Sequence, residues 1–95
     1  DIAAGFQEAV VDVLVYKLMR AARDQGCARV ALAGGVAANS RLRERLRAEA
    51  AQAGLRSHLP SPSLCGDNAA MVAAAGFHLL AAGQRASLED DVFSR

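Results

Sequence analysis

Two short stretches of the sequence carry residue types suited to chemistry. In "ALAGGVAANS" Gly34 and Gly35 stand side by side and Asn39 follows four residues after the second; in "SLCGDN" Asp67 sits just ahead of an apolar segment. Paired glycines let a ligand lie against bare main chain, because no Cβ blocks its approach. At the carboxyl end of a parallel strand, the following helix start adds unpaired N–H groups and a positive dipole end. That setting suits a phosphate-bearing ligand, with Asn39 hydrogen-bonding a ribose or phosphate oxygen. The stretch lacks the third glycine of GxGxxG and the GK[ST] of a Walker loop. A tight strand-to-helix turn capped by Asn39 uses the same residues.

Asp67 also has two readings. It is either a helix N-cap or a carboxylate aimed into the same cleft, as a metal ligand or a base. Asn68 caps equally well, which would leave Asp67 for a ligand. Cys65 is a possible soft ligand, although a buried structural thiol fits it better. His58 stands alone and reads as a surface or satisfied core residue. Arg41, Arg43, Arg45 and Arg47, interleaved with Glu44 and Glu49, read as a solvated helix face with i,i+4 pairs rather than a contact for RNA phosphates.

The elements that must position these residues follow from periodicity. From Ile2 to about Asp24, Phe6, Val10, Val13, Leu14 and Leu18 recur at helical spacing, and Val11, Val15 and Met19 widen the stripe. Gly26 ends that helix. "CARVALAG" is apolar and glycine-bounded, the pattern of a buried parallel strand. A second helix from Asn39 or Ser40 to Ala53 points Leu42, Leu46 and Ala50 inward, and Gly54 closes it. "LRSHLP" reads as a second strand, and "SPSLCGDN" as a loop without regular structure. A third helix from Asp67 or Asn68 to Gly83 turns Met71, Val72, Ala75 and Leu79 inward. Residues 84–95 read as a tail. The order helix–strand–helix–strand–helix predicts an α/β fold with parallel, adjacent strands. Two strands alone make a weak sheet, so further strands are expected from elsewhere.

Bulk properties narrow the function class. The chain has 95 residues, 53% hydrophobic and 4% aromatic, with a formal charge of +1. This composition is globular rather than disordered, and the charge favours neither an acidic nor a basic partner. Cys27 and Cys65 form no CxxC pair, and with no signal peptide they fit a reducing cytoplasm. No apolar run reaches the roughly 20 residues that cross a bilayer, so no membrane partner is expected. The chain opens on Asp1 rather than methionine, which reads as a piece of something longer.

Taken together, "GGVAANSRLRERL" and "PSLCGDNAAMVAAAG" resemble the C-terminal signature of the TsaD family, tRNA adenosine threonylcarbamoyltransferases also labelled glycoproteases. The opening "DIAAGFQEAVVDVLVYK" resembles the helix preceding that signature. The resemblance covers residues 1–83. It implies the terminal part of the second lobe of an actin-like ATPase (ribonuclease H-like) fold. It further implies that Gly34, Gly35 and Asn39 contact a nucleotide or threonylcarbamoyl-adenylate. Asp67 matches the aspartate that, in the family, ligates iron or zinc together with two histidines of an HxxxH motif.

The implied reaction moves a threonylcarbamoyl group from its adenylate to N6 of the adenosine beside the tRNA anticodon, with protein partners of the same pathway. Two departures stand out. Gly66 replaces the usual threonine, and His58 and His78 are too far apart for HxxxH. The isolated chain is therefore expected to be inactive. Two alternatives remain: a carbamoyltransferase of the same superfamily, and an inactive fragment or interaction module. No HExxH or nucleophile–base pair supports a peptidase.

Overall fold

A computed structural model describes residues 1–91. It is α/β: α1 (Ile2–Asp24), β1 (Arg29–Ala31), α2 (Ser40–Gln52), β2 (Arg56–His58) and α3 (Ala69–Ala81) follow in that order. Two short 3-10 turns, Gly35–Ala38 and Pro62–Leu64, precede α2 and α3. The second replaces the loop expected to lack regular structure. Of the expected tail, residues 92–95 lie outside the described residues, and Ser87–Asp90 closes a local turn in which the Asp90 carboxylate accepts from the Ser87 N–H.

The three helices begin and end by the same local chemistry. Asp1, Asn39 and Asn68 are the N-caps, each side chain accepting a main-chain N–H of the first turn. At the far ends Gly26, Gly54 and Gly83 adopt positive φ. The residue after each glycine donates back five positions, as Cys27 does to Ala22, Leu55 to Ala50 and Gln84 to Leu79. This arrangement satisfies carbonyls that the helix itself leaves open.

The two strands are parallel and adjacent, with Arg29 opposite Arg56, Val30 opposite Ser57 and Ala31 opposite His58. β1 is shorter than its apolar run implied, and only Val30 is buried. Both α1 and α2 cover the Val30 side, so Arg29, Arg56 and His58 stand exposed on the other. A strand is buried on both faces only when both are covered.

The core consists of Val11, Val15 and Ala22 of α1, Val30 of β1, and Leu42, Leu46 and Ala50 of α2. Burial of a leucine of this kind is worth about 1.5–3 kcal/mol relative to exposure. Along α1 the structure selects the stripe through Val11 and Val15. Phe6, Val10, Val13 and Leu14, expected inside, are exposed. The stripe through 11, 15, 18, 19 and 22 keeps one face toward α2, whereas Val13 lies off it and Phe6, Val10 and Leu14 stand at its open margin near Leu42.

α3 departs further from expectation. Met71, Val72, Ala75 and Leu79 are all exposed, and the helix buries no residue. Its apolar character has no facing surface among the described residues, and an apolar stripe is buried only where another element meets it.

Candidate functional site

The glycine loop leaves the carboxyl end of β1. Gly34 has φ +86°, a backbone conformation that a side chain would strain. Gly35 begins the 3-10 turn with no such requirement, and a Cβ added there would meet nothing within 4 Å. The turn therefore explains the first glycine and leaves the second without a structural reason among the described residues. The N–H of Ala37 donates to Gly34 and that of Asn39 to Val36. No acceptor engages the N–H groups of Gly35 and Val36 within the described residues.

Asn39 has two protein partners. Its Oδ1 accepts from the Leu42 N–H at 2.9 Å, capping α2, and its Nδ2 donates to Gln7 Oε1 at 3.1 Å. The capping reading thus holds, and the side chain retains one further N–H. Gln7 is a partner that sequence reasoning missed; nothing in its spacing singled it out.

Asp67 is not the cap of α3. Asn68 takes that role, its Oδ1 accepting from the Met71 N–H at 2.7 Å while its Nδ2 donates to Gly66 O. Asp67 is exposed and makes no hydrogen bond or ion pair among the described residues. The Asn68 cap leaves its carboxylate available, as it would for a ligand. No group of three His, Cys, Asp or Glu side chains able to hold a metal occurs among the described residues. A catalytic zinc-type site takes about three protein ligands. The residues present therefore do not by themselves fit iron or zinc.

The two loops are neighbours, but their functional side chains line different hollows. Asn39 and Val36 border a hollow of about 230 Å³ with Phe6, Gln7, Val10 and Leu14 of α1. Asp67 borders a shallow one against Val72 and Ala73. The first falls short of the roughly 300–1,000 Å³ of pockets that enclose a ligand, and the second, about 520 Å³, is open to solvent, so the described residues offer walls rather than an enclosure. A further hollow of about 590 Å³ lies between α1 and α2 and includes neither loop. Its acids and bases are largely engaged with one another, Arg45 with Asp12 and Glu49 and Arg20 with Asp24, which leaves little charge for a ligand.

The arginines of α2 form the expected solvated face only in part: Arg47 is exposed and Arg45 makes the i,i+4 pair with Glu49, but Arg43 is not on that face. Arg43 is buried, 8% exposed. Its Nη1 donates to Ala37 O at 2.8 Å and its Nη2 to Pro60 O at 2.6 Å, with Cys65 Sγ 3.7 Å from Nη1. Positions 43, 46 and 50 share one helical face, and that spacing is the signal that would have placed Arg43 inside. Cys65 is the buried thiol expected of it, its Sγ donating to Ser61 O at 3.5 Å.

Arg41 and Arg45 instead tie α2 to α1. Arg41 donates from Nε to both oxygens of Glu8 at 3.1 and 3.0 Å, and Arg45 Nη1 meets Asp12 at 2.8 Å. Glu8 and Asp12 are one turn apart on α1, as Arg41 and Arg45 are on α2, so the helices run side by side in the same direction. The Arg41 hydrogen bond holds the Glu8 carboxyl below its ordinary range, against a smaller opposing effect of burial, and Arg45 adds to the lowering. Hydrogen bonds to Glu8 and Glu49 raise Arg41 and Arg45 respectively. Only Arg47 and the outer reach of this set face water freely. His58 is exposed at the end of β2, as expected for a surface residue. No helix is long and apolar enough to cross a membrane among the described residues.

Compared with known proteins, the sequence matches the TsaD family model, tRNA N6-adenosine threonylcarbamoyltransferase, over residues 1–74, which takes in both loops. It is 56% identical over 94 residues to the tRNA N6-adenosine threonylcarbamoyltransferase of Desulforapulum autotrophicum, covering 99% of this chain and 28% of that protein. It is 53% identical over 89 residues to the protein of the same name from Symbiobacterium thermophilum, covering 94% of this chain and 26% of that protein. The chain thus spans little more than a quarter of the length of these curated relatives.

Proposed function

The chain belongs to the TsaD family of tRNA N6-adenosine threonylcarbamoyltransferases, and from that premise we propose that it supplies the nucleotide-contacting wall of such an enzyme. In this reading it forms the terminal part of the second lobe of an actin-like fold. Gly34, Gly35 and Asn39 hold threonylcarbamoyl-adenylate while the threonylcarbamoyl group passes to N6 of the adenosine beside the anticodon of tRNA. The new bond joins N6 to the carbamoyl carbon, the bond from that carbon to the bridging phosphate oxygen breaks, AMP leaves with that oxygen, and N6 gives up one proton to solvent.

The observation that carries the reading is Gly35. Neither its backbone angles nor its surroundings require a glycine, whereas an adenylate resting on the main chain does. The unengaged N–H groups of Gly35 and Val36 and the remaining N–H of Asn39 are all donors, which suits phosphate and ribose oxygens. Held in one orientation, the adenylate presents its carbamoyl carbon to the incoming amine, an effect of positioning. Asp67 offers one carboxylate to a divalent ion whose other ligands lie outside the described residues. The described residues hold one such ligand, so in this reading the chain alone binds and does not catalyse. The neighbouring protein partners and a cytoplasmic location belong to the same proposal.

The test is titration of AMP, the leaving group, into the full-length protein and its Gly35→Ala variant. Because the added methyl meets open space, stability should stay within about 0.5 kcal/mol of wild type. The AMP affinity should fall by about tenfold or more, as expected when a close main-chain approach is blocked. Equal affinity in the two proteins would remove the nucleotide role from this loop.

A further inference from the structure

The glycine loop follows β1 and the Asp67 loop follows β2, so both leave the same edge of the parallel pair, and one buried side chain holds both. Arg43 projects from the second turn of α2 and donates to Ala37 O in the first 3-10 turn and to Pro60 O at the exit of β2. Its Nη1 also approaches Cys65 Sγ, two residues before Asp67. The two 3-10 turns lie against each other, and Arg43 forms the floor beneath them. Unlike Arg41 and Arg45, it shows no ion pair with a carboxylate among the described residues. A guanidinium buried among carbonyls and a thiol spends its directional donors on main-chain geometry.

We propose that Arg43 is the positioning residue that couples the two loops, so that a ligand seated on the glycine loop also fixes the loop bearing Asp67. The first half, the coupling itself, stands on the hydrogen bonds. The second half rests on the reading of the glycine loop as a nucleotide contact. Arg43 itself touches no ligand in this scheme. A planar fork with two separate nitrogens reaches two carbonyls at once; a lysine brings one donating atom and a methionine none. Coupling between sites requires an element that both share, and it acts equally in either direction.

Two measurements on the full-length protein test this. The first needs no ligand. In Arg43→Met, the amides of Ala37, Asn39, Leu64 and Cys65, all hydrogen-bonded within the two turns, should exchange about tenfold faster together. Those of Leu46 and Ala50 in α2 should keep their wild-type rates, and Arg43→Lys should recover part of the protection. The second uses AMP. In the wild type, saturating AMP should slow alkylation of Cys65 by about tenfold relative to exposed Cys27. In Arg43→Lys that slowing should shrink to about twofold or less while AMP still binds.

Faster exchange in one loop only, or uniformly through the α2 core, overturns the coupling, the latter marking Arg43 as ordinary packing. AMP binding to the wild type with Cys65 reactivity unchanged also overturns it. Should Arg43→Met fail to fold, Arg43→Lys and the wild-type alkylation decide. A wild type that binds no AMP overturns the nucleotide reading, and synchronous loop exchange then still upholds the tie through Arg43.

Discussion

Helices α2 and α3 have equal length and opposite fates. α2 carries four arginines and two glutamates and buries Leu42, Arg43, Leu46 and Ala50. α3 is almost wholly apolar and buries nothing. Apolar content therefore does not decide burial. What decides it is a facing surface: α2 has one in Val11 and Val15 of α1 and in Val30 of β1, with Arg43 buried against carbonyls and Arg41 and Arg45 paired with carboxylates at its margin. α3 has caps at both ends and no facing surface among the described residues, so it rests on local propensity alone, which is marginal for a helix of this length.

The contrast is sharpest under truncation in the 95-residue chain. Leu46→Ala should destabilise it by roughly 2–5 kcal/mol in urea unfolding, the range for a buried leucine leaving a cavity. Leu79→Ala, 50% exposed, should stay within about 0.5 kcal/mol. Equal losses at the two positions would show that α3 is packed in solution and would break the comparison.

The caps give the next contrast, between two asparagines doing the same chemistry. Asn39→Ala should cost about 1 kcal/mol of global stability, with a further loss from the released Gln7. Asn68→Ala should instead lower helicity by circular dichroism while the urea midpoint of the core barely moves, because α3 can fray alone. A midpoint shift from Asn68→Ala matching that from Asn39→Ala would join α3 to the cooperative unit.

The smallest effect is acidic. Because Glu8 titrates below its ordinary 4.5 when folded, the unfolded chain takes up that proton first as pH falls. The stabilisation from Glu8 is complete above 4.5 and is lost as pH drops through the lowered folded value. Glu8→Gln should flatten the acid side of the stability–pH curve. An acid limb that Glu8→Gln does not alter would assign it to other carboxylates.

These contrasts also show what the sequence could convey. Element order, helix caps and glycine stops are local, and local chemistry is written in neighbouring residues; all three helices and both strands were legible for that reason. The inward faces of α1 and α3 were not, because they depend on where another element lies. Phe6 and Val11 are equally apolar, and only the position of α2 separates them. The same limit applied at the candidate site. Gly34, Gly35, Asn39 and Asp67 were visible as residue types in order, yet the bonds from Arg43 to Ala37 and Pro60 cross 6 and 17 residues, and no short pattern encodes them.

The sheet adds a consequence of its own. Because its strands run in the same direction with Arg29 opposite Arg56, two guanidinium groups share the open face as neighbours and repel. Dissolved salt eases that repulsion while it weakens the Glu8–Arg41 clasp on the other side of the molecule. The response to ionic strength is thus a contest between an attraction and a repulsion, and neutralising either partner of one tilts it toward the other.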